Sequence, residues 1–150
     1  MKNLFHPGAA AEACARIASM RDESPRQWGT MTPSQALAHC ALTMEMATGD
    51  SKPERMLVGW LFGPLVRRLA LRDESPLKRN TPTAPNLVVL GTRDLVVERD
   101  RLAALVRRFA EGGPQGVTTH PHTFFGSMTP DEWSLLMYKH LDHHLRQFGQ

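Results

Sequence analysis

The sequence predicts an all-α protein: 150 residues forming one domain, 1–150, arranged as a four-helix bundle. Three observations carry this expectation. Apolar residues recur at helical spacing, as in Leu95, Leu102, Leu105, Val106 and Phe109. Two segments open on the same capping pattern, Thr32-Pro33-Ser34-Gln35 and Thr129-Pro130-Asp131-Glu132. No stretch alternates convincingly with a period of two; Leu87-Val88-Val89-Leu90 is at most one short extended piece, and a lone strand makes no sheet.

The first helix is predicted over about Ala9 to Met20, ending before Ser24-Pro25. The second runs from Pro33 to about Thr48, with Thr32 as its N-cap and Gly49-Asp50 as its stop. A short extra helix, about Met56 to Leu71, follows. Next comes a Pro-rich crossover from Ser75 to Asn86, which Pro76, Pro82 and Pro85 keep from being regular helix. The third long helix spans about Arg93 to Ala110, ended by Gly112-Gly113-Pro114. A loop carrying His120, Pro121, His122, Phe124, Phe125 and Gly126 leads to the last helix, about Pro130 to Phe148. Arg-Asp-Glu-Ser-Pro occurs at 21–25 and again at 72–76, read as two similar helix exits.

Composition removes several function classes. A net charge of +3, with basic pairs scattered and no aromatic interleaving, gives no nucleic-acid footprint. Two cysteines, Cys14 and Cys40, form neither a Cys-x-x-Cys motif nor a disulfide framework and read as buried thiols. The N-terminal residues lack the apolar core of a signal peptide, and the apolar run Leu57 to Val66 is half a membrane span. A cytoplasmic protein is expected. An amphipathic membrane anchor over Leu57 to Leu71 is the weaker reading of that segment; a cap or a dimer-forming helix is preferred.

Chemistry concentrates at the C-terminal end, in His140-Leu141-Asp142-His143-His144-Leu145-Arg146-Gln147. With Trp133 at zero and about 100° per residue, His140 falls near 340° and His144 near 20°. Both lie inside the apolar stripe of Trp133, Met137 and Phe148. Two buried imidazoles need partners. One divalent ion satisfies both at once; backbone or buried-water hydrogen bonds are the alternative. His143, near 280° on the same wheel, sits at the stripe's edge, whereas Lys139, Asp142 and Arg146 occupy the opposite side. A catalytic metal site needs a third ligand, and His39 is the best candidate, facing inward beside Thr43 and Met46. Cys40 points about 100° away from it and cannot easily share the ion. Gln147 lies on the side of His140 and could bond a ligand ring. His120 and His122 could overhang the site from their loop. No general base stands out among Glu45 and Asp142, and Leu141 stands where a zincin protease needs glutamate.

A histidine two turns into the second helix, followed a hundred residues later by His-x-x-x-His-x-x-Gln, resembles the DinB/YfiT-like superfamily. Trp28-Gly29, Thr32, His39, His120-Pro121, Phe125-Gly126, Thr129, Glu132-Trp133 and Tyr138 through Gly149 resemble one branch of it more closely. The likeness covers nearly the whole chain. It implies a mainly bacterial four-helix bundle holding a divalent metal on three histidines, here His39, His140 and His144, often as a homodimer. Zinc or nickel is expected first, iron or manganese next. The superfamily includes metal-dependent thiol transferases and a thiol-dependent maleylpyruvate isomerase, so a small-molecule substrate and a low-molecular-weight thiol are the expected partners. Many members end the motif in His-Arg-Gly-Gln, where this chain has His144-Leu145-Arg146-Gln147. Two functions follow: a metal-dependent transferase or hydrolase-like enzyme, or a non-catalytic bundle whose histidine cluster serves stability or partner interaction.

Overall fold

A computed structural model describes all of residues 1–150. The chain is all-helical, with five α-helices and no strand: α1 Ala9–Ser19, α2 Pro33–Thr48, α3 Leu57–Ala70, α4 Leu95–Gly112 and α5 Pro130–Gln147. Single 3-10 turns occupy Pro85–Leu87 and Gly113–Gly116. Both capping boxes form. The Thr32 and Thr129 hydroxyls accept from the amides of Gln35 and Glu132, whose side chains accept in return from the cap amides. The third long helix starts at Leu95 rather than Arg93, because the Asp94 side chain caps it by accepting from the Val97 amide. The Arg-Asp-Glu-Ser-Pro strings follow the ends of α1 and α3.

Four of the helices enclose one core. α2 packs on α4 and α5, and α1 packs on the same two from the other side. Ile17, Met44, Val106, Phe109, Trp133 and Phe148 meet in that core with essentially no exposed surface. Each such side chain contributes roughly 1.5–3 kcal/mol by leaving water.

α3 is different. It makes no comparable contact with another helix and lies on the 122–126 loop, with Gly59 and Gly63 against the Phe124 backbone. The Met56 amide donates to the Thr123 carbonyl at 2.9 Å, and Arg67 reaches the Ser127 carbonyl. Away from that loop it leaves Leu57, Trp60, Leu61, Phe62 and Leu65 exposed. No helix is long and apolar enough to cross a membrane.

Lys139 corrects the sequence reading. Helical periodicity puts it on the wet side, yet it is 6% exposed. The C-terminal end of α3 and the segment after it cover that face, and the Lys139 ammonium donates to the Ala70 and Asp73 carbonyls at 2.6 and 2.9 Å.

Candidate metal centre

α2 and α5 bring His39, His140 and His144 together, 101 residues apart in sequence at the closest ring contact. The ring centroids form a nearly equilateral triangle: 4.9 Å from His39 to His140, 4.8 Å from His39 to His144 and 4.7 Å from His140 to His144. One nitrogen from each ring can be chosen so that all three lie within 4.8 Å of one another, and the group could hold a metal ion.

Hydrogen bonds outside the triangle decide which nitrogens face inward. His39 Nδ1 lies 2.9 Å from the Leu87 carbonyl, which only accepts, so Nδ1 carries the proton and Nε2 a lone pair. His140 Nδ1 lies 3.2 Å from Thr43 Oγ1, whose own hydrogen goes to the Cys40 carbonyl; the hydroxyl therefore accepts from Nδ1–H. His144 Nδ1 lies 2.9 Å from Gln147 Oε1, and the Gln147 amide group donates to the Trp28 carbonyl. All three protons point outward. Three bare Nε2 atoms are left facing inward, those of His39 and His140 only 3.0 Å apart. Two lone pairs at that distance repel unless a cation lies between them. A tetrahedral ion with bonds near 2.0–2.1 Å sets its ligand nitrogens about 3.3 Å apart, so this donor set fits a divalent metal.

Electrostatics agree. Burial holds His39, His140 and His143 below the ordinary histidine range and brings His144 down to about 3, with the neighbouring imidazoles adding to the effect at His140 and His144. Neutral imidazole is the form that binds metal. The two cysteines are free; burial raises both thiols, Cys40 strongly, so neither supplies a thiolate.

Trp28 and Gly29 belong to this arrangement, which explains the Trp-Gly pair seen in the sequence. The Trp28 carbonyl orients Gln147, and a Cβ on Gly29 would lie 2.5 Å from Gln147 Nε2. Gly29 also has φ +74°, a left-handed conformation that costs other residues about 1–2 kcal/mol. Gly29→Ala is expected to displace Gln147 and release His144 Nδ1. Metal affinity should fall roughly 10–100-fold, the usual loss when a partner of a ligand ring is removed. Competition against a chromophoric chelator measures it.

The three rings line one side of a cavity of about 750 Å³. Its roof is the C-terminal end of α3 and the Pro-rich crossover, including Leu69, Leu77 and Pro82. His143 is half-buried in the wall, edge-on to Trp28 at 5.5 Å and to His144 at 5.0 Å. His120 is not among the lining residues; its Nε2 lies 3.1 Å from the Pro53 carbonyl and anchors the loop. His122 lines the cavity instead. Its Nδ1 accepts from the Phe124 and Phe125 amides, each at 3.1 Å, so the proton sits on Nε2. Burial takes this ring down to about 4 and keeps it neutral. Thr43 and the Leu87 carbonyl escaped the sequence reading as partners of ligand rings. Thr43 was visible only as a neighbour of His39 on the helix wheel, and a backbone carbonyl leaves no sequence signal.

Five neutral histidines should make the metal-free chain acid-labile. Their folded pKa values lie below the unfolded value, so the unfolded state binds more protons between about pH 6.5 and the folded values. The stability present above pH 6.5 is lost as pH falls through that window, by up to about 1.4 kcal/mol per pH unit for each histidine. Urea unfolding of metal-stripped protein at pH 7.5, 6 and 5 measures the slope; a flat profile contradicts it.

Comparison with curated proteins and with solved structures finds no match. The family model described as "Protein of unknown function (DUF1569)" matches residues 3–150, and the chain belongs to that family.

Proposed function

We propose that this protein is a metal-dependent enzyme acting on a small molecule in the cavity beside His39, His140 and His144, as a thiol-dependent transferase. We also propose that its helices form a DinB-like four-helix bundle. The observation that carries the first reading is the outward placement of all three Nδ1 protons, which leaves three lone pairs converging beside a roofed cavity. The resemblance of the His-x-x-x-His-x-x-Gln segment supports the second.

A divalent ion held there supplies a Lewis acid that can polarise a carbonyl or deprotonate a coordinated thiol. The residues do the rest. The Leu87 carbonyl, Thr43 and Gln147 fix the ligand rings. The crossover and the C-terminal end of α3 line the cavity beside those rings. His122 presents a neutral ring with its proton fixed on Nε2. The lining carries a single carboxylate, Asp73, which already accepts from Arg72 Nε and the Ser75 amide. Glu45 is paired with Arg101 and Asp142 with Arg16, both away from the cavity. A site without a free carboxylate base suits chemistry in which the metal generates the nucleophile. Thiol transfer fits better than hydrolysis by a general base.

The test is turnover of chlorodinitrobenzene, a haloaromatic electrophile, with a panel of low-molecular-weight thiols on zinc- and nickel-loaded protein. Thiol-dependent turnover that His144→Ala abolishes, with the helical circular dichroism unchanged, is expected. No turnover with any thiol, together with unfolding on metal removal, points to a structural role for the cluster.

The homodimer is part of this proposal, supported by the resemblance and by the apolar side chains exposed along α3. Leu61 is 77% exposed there, and Leu61→Lys is expected to convert a dimer to a monomer in light scattering.

A further inference from the structure

We propose that the cavity binds an organic anion, a small molecule with an apolar body and a carboxylate head, and that Lys139 is the counter-ion of that head. The proposal rests on the reading of the cavity as the substrate site and adds the substrate class.

Lys139 is a buried ammonium with no ion-pair partner in contact; Asp73 and Glu74 act on it only from a distance. Its Nζ has three donors, and two are spent on the Ala70 and Asp73 carbonyls. It takes part in none of the chain's ion pairs within 4.0 Å. The acids nearest to it are committed elsewhere. Asp73 accepts from Arg72 and the Ser75 amide; Glu74 accepts from the Lys2 amide and pairs with the N-terminal amine. Burying a charge with only neutral acceptors is unfavourable, and a residue held this way is primed for an anion.

Lys139 also lines the cavity that contains the three histidines. Arg72 and Lys78 join it there, against Asp73 as the one carboxylate. A divalent ion on the histidines would add further positive charge. The wall also carries an apolar group, Val66, Leu69, Leu77, Phe124 and Phe125, among neutral polar side chains such as Ser75, Asn80 and Thr81. At about 750 Å³ the space suits a small molecule. An apolar body with one anionic group meets both the cations and the apolar side chains of this lining, whereas a cationic ligand is opposed by Lys139, Arg72 and Lys78.

The experiment compares octanoate with octanamide, two ligands of the same shape that differ in charge, by calorimetric titration of metal-free and zinc-loaded protein. Metal content is measured on the same samples. Wild-type protein is expected to bind octanoate at least about tenfold more tightly than octanamide with or without zinc, from one charge-assisted hydrogen bond. Lys139→Gln is expected to bring the two affinities together while retaining the metal. If Lys139 only fastens the end of α3, the variant weakens both ligands equally and the ratio survives, which overturns the proposal. A preference that appears only with zinc and ignores Lys139→Gln places the carboxylate on the metal and overturns it too. Should Lys139→Gln fail to fold, the metal-free wild-type ratio decides, and a ratio near one sinks the proposal. Absence of metal from every sample, with the octanoate preference intact, would remove the metal reading and leave this one standing.

Discussion

The double variant His140→Ala, His144→Ala is expected to lose its metal almost entirely while keeping its fold. Removing the partner of one ligand ring typically lowers affinity 10–100-fold; removing two of three ligands should lower it by roughly a thousandfold or more. Protein purified without a polyhistidine tag should carry about one equivalent of metal as the natural chain and almost none as the variant. Elemental analysis reads both. The fold should persist because neither ring anchors the core. Trp133, Leu141, Leu145 and Phe148 pack into the core from α5 and its end, while His140 and His144 face the cavity instead. Without metal the variant could even gain stability, since it no longer sets bare nitrogens 3.0 Å apart. With saturating metal the order reverses. At a thousand times its dissociation constant, a ligand stabilises the native state by about 4 kcal/mol, and only the natural chain collects that.

The second large effect is expected at Gly63. A Cβ there would lie 2.1 Å from the Phe124 carbonyl oxygen, and one on Gly59 would lie 2.6 Å from the same atom. The obstacle is backbone, which a rotamer change cannot clear. Gly63→Ala therefore has to lift α3 from the loop or shift the loop itself, at about 3 kcal/mol, the upper end of what overpacking costs. α3 is joined to its neighbour α5 chiefly by the Lys139–Ala70 hydrogen bond and the Arg67–Glu132 ion pair, so the damage should stay local. Hydrogen exchange at the amides of α3 is expected to accelerate sharply, with the amides of α1, α2, α4 and α5 unchanged. The cavity would lose its roof, so binding of apolar molecules should weaken while metal binding on the far wall continues. Slow exchange throughout α3 in Gly63→Ala would show that the close approach to Phe124 is not what holds the helix down.

What the sequence reveals here divides along physical lines. Helix starts are local events, and Thr32, Gln35, Thr129 and Glu132 announce them because capping boxes use residues three apart. The His140–His144 pair is equally local, one turn apart on one helix. The placing of His39 against it is tertiary, inferred from an inward-facing wheel position and a family resemblance rather than from spacing. The outward partners were harder still. Leu87 lies in a stretch that reads as extended, yet Pro85–Leu87 forms a 3-10 turn whose carbonyl sets the tautomer of His39. Lys139 was misplaced because periodicity describes a single helix and knows nothing of the roof that later packs on its polar side. The loop histidines were likewise indistinguishable in sequence. Only the tight turn from His122 to Gly126, closed by reciprocal backbone hydrogen bonds at 2.9 and 3.1 Å, directs His122 to the cavity and leaves His120 at Pro53.

X-ray absorption at the metal edge of tag-free, zinc-reconstituted protein tests the convergence of the three Nε2 atoms most directly. Three imidazole nitrogens at about 2.0–2.1 Å, with light oxygen or nitrogen ligands completing the shell, are expected. A sulfur shell near 2.3 Å, or one imidazole or none, would place the metal elsewhere and contradict the account.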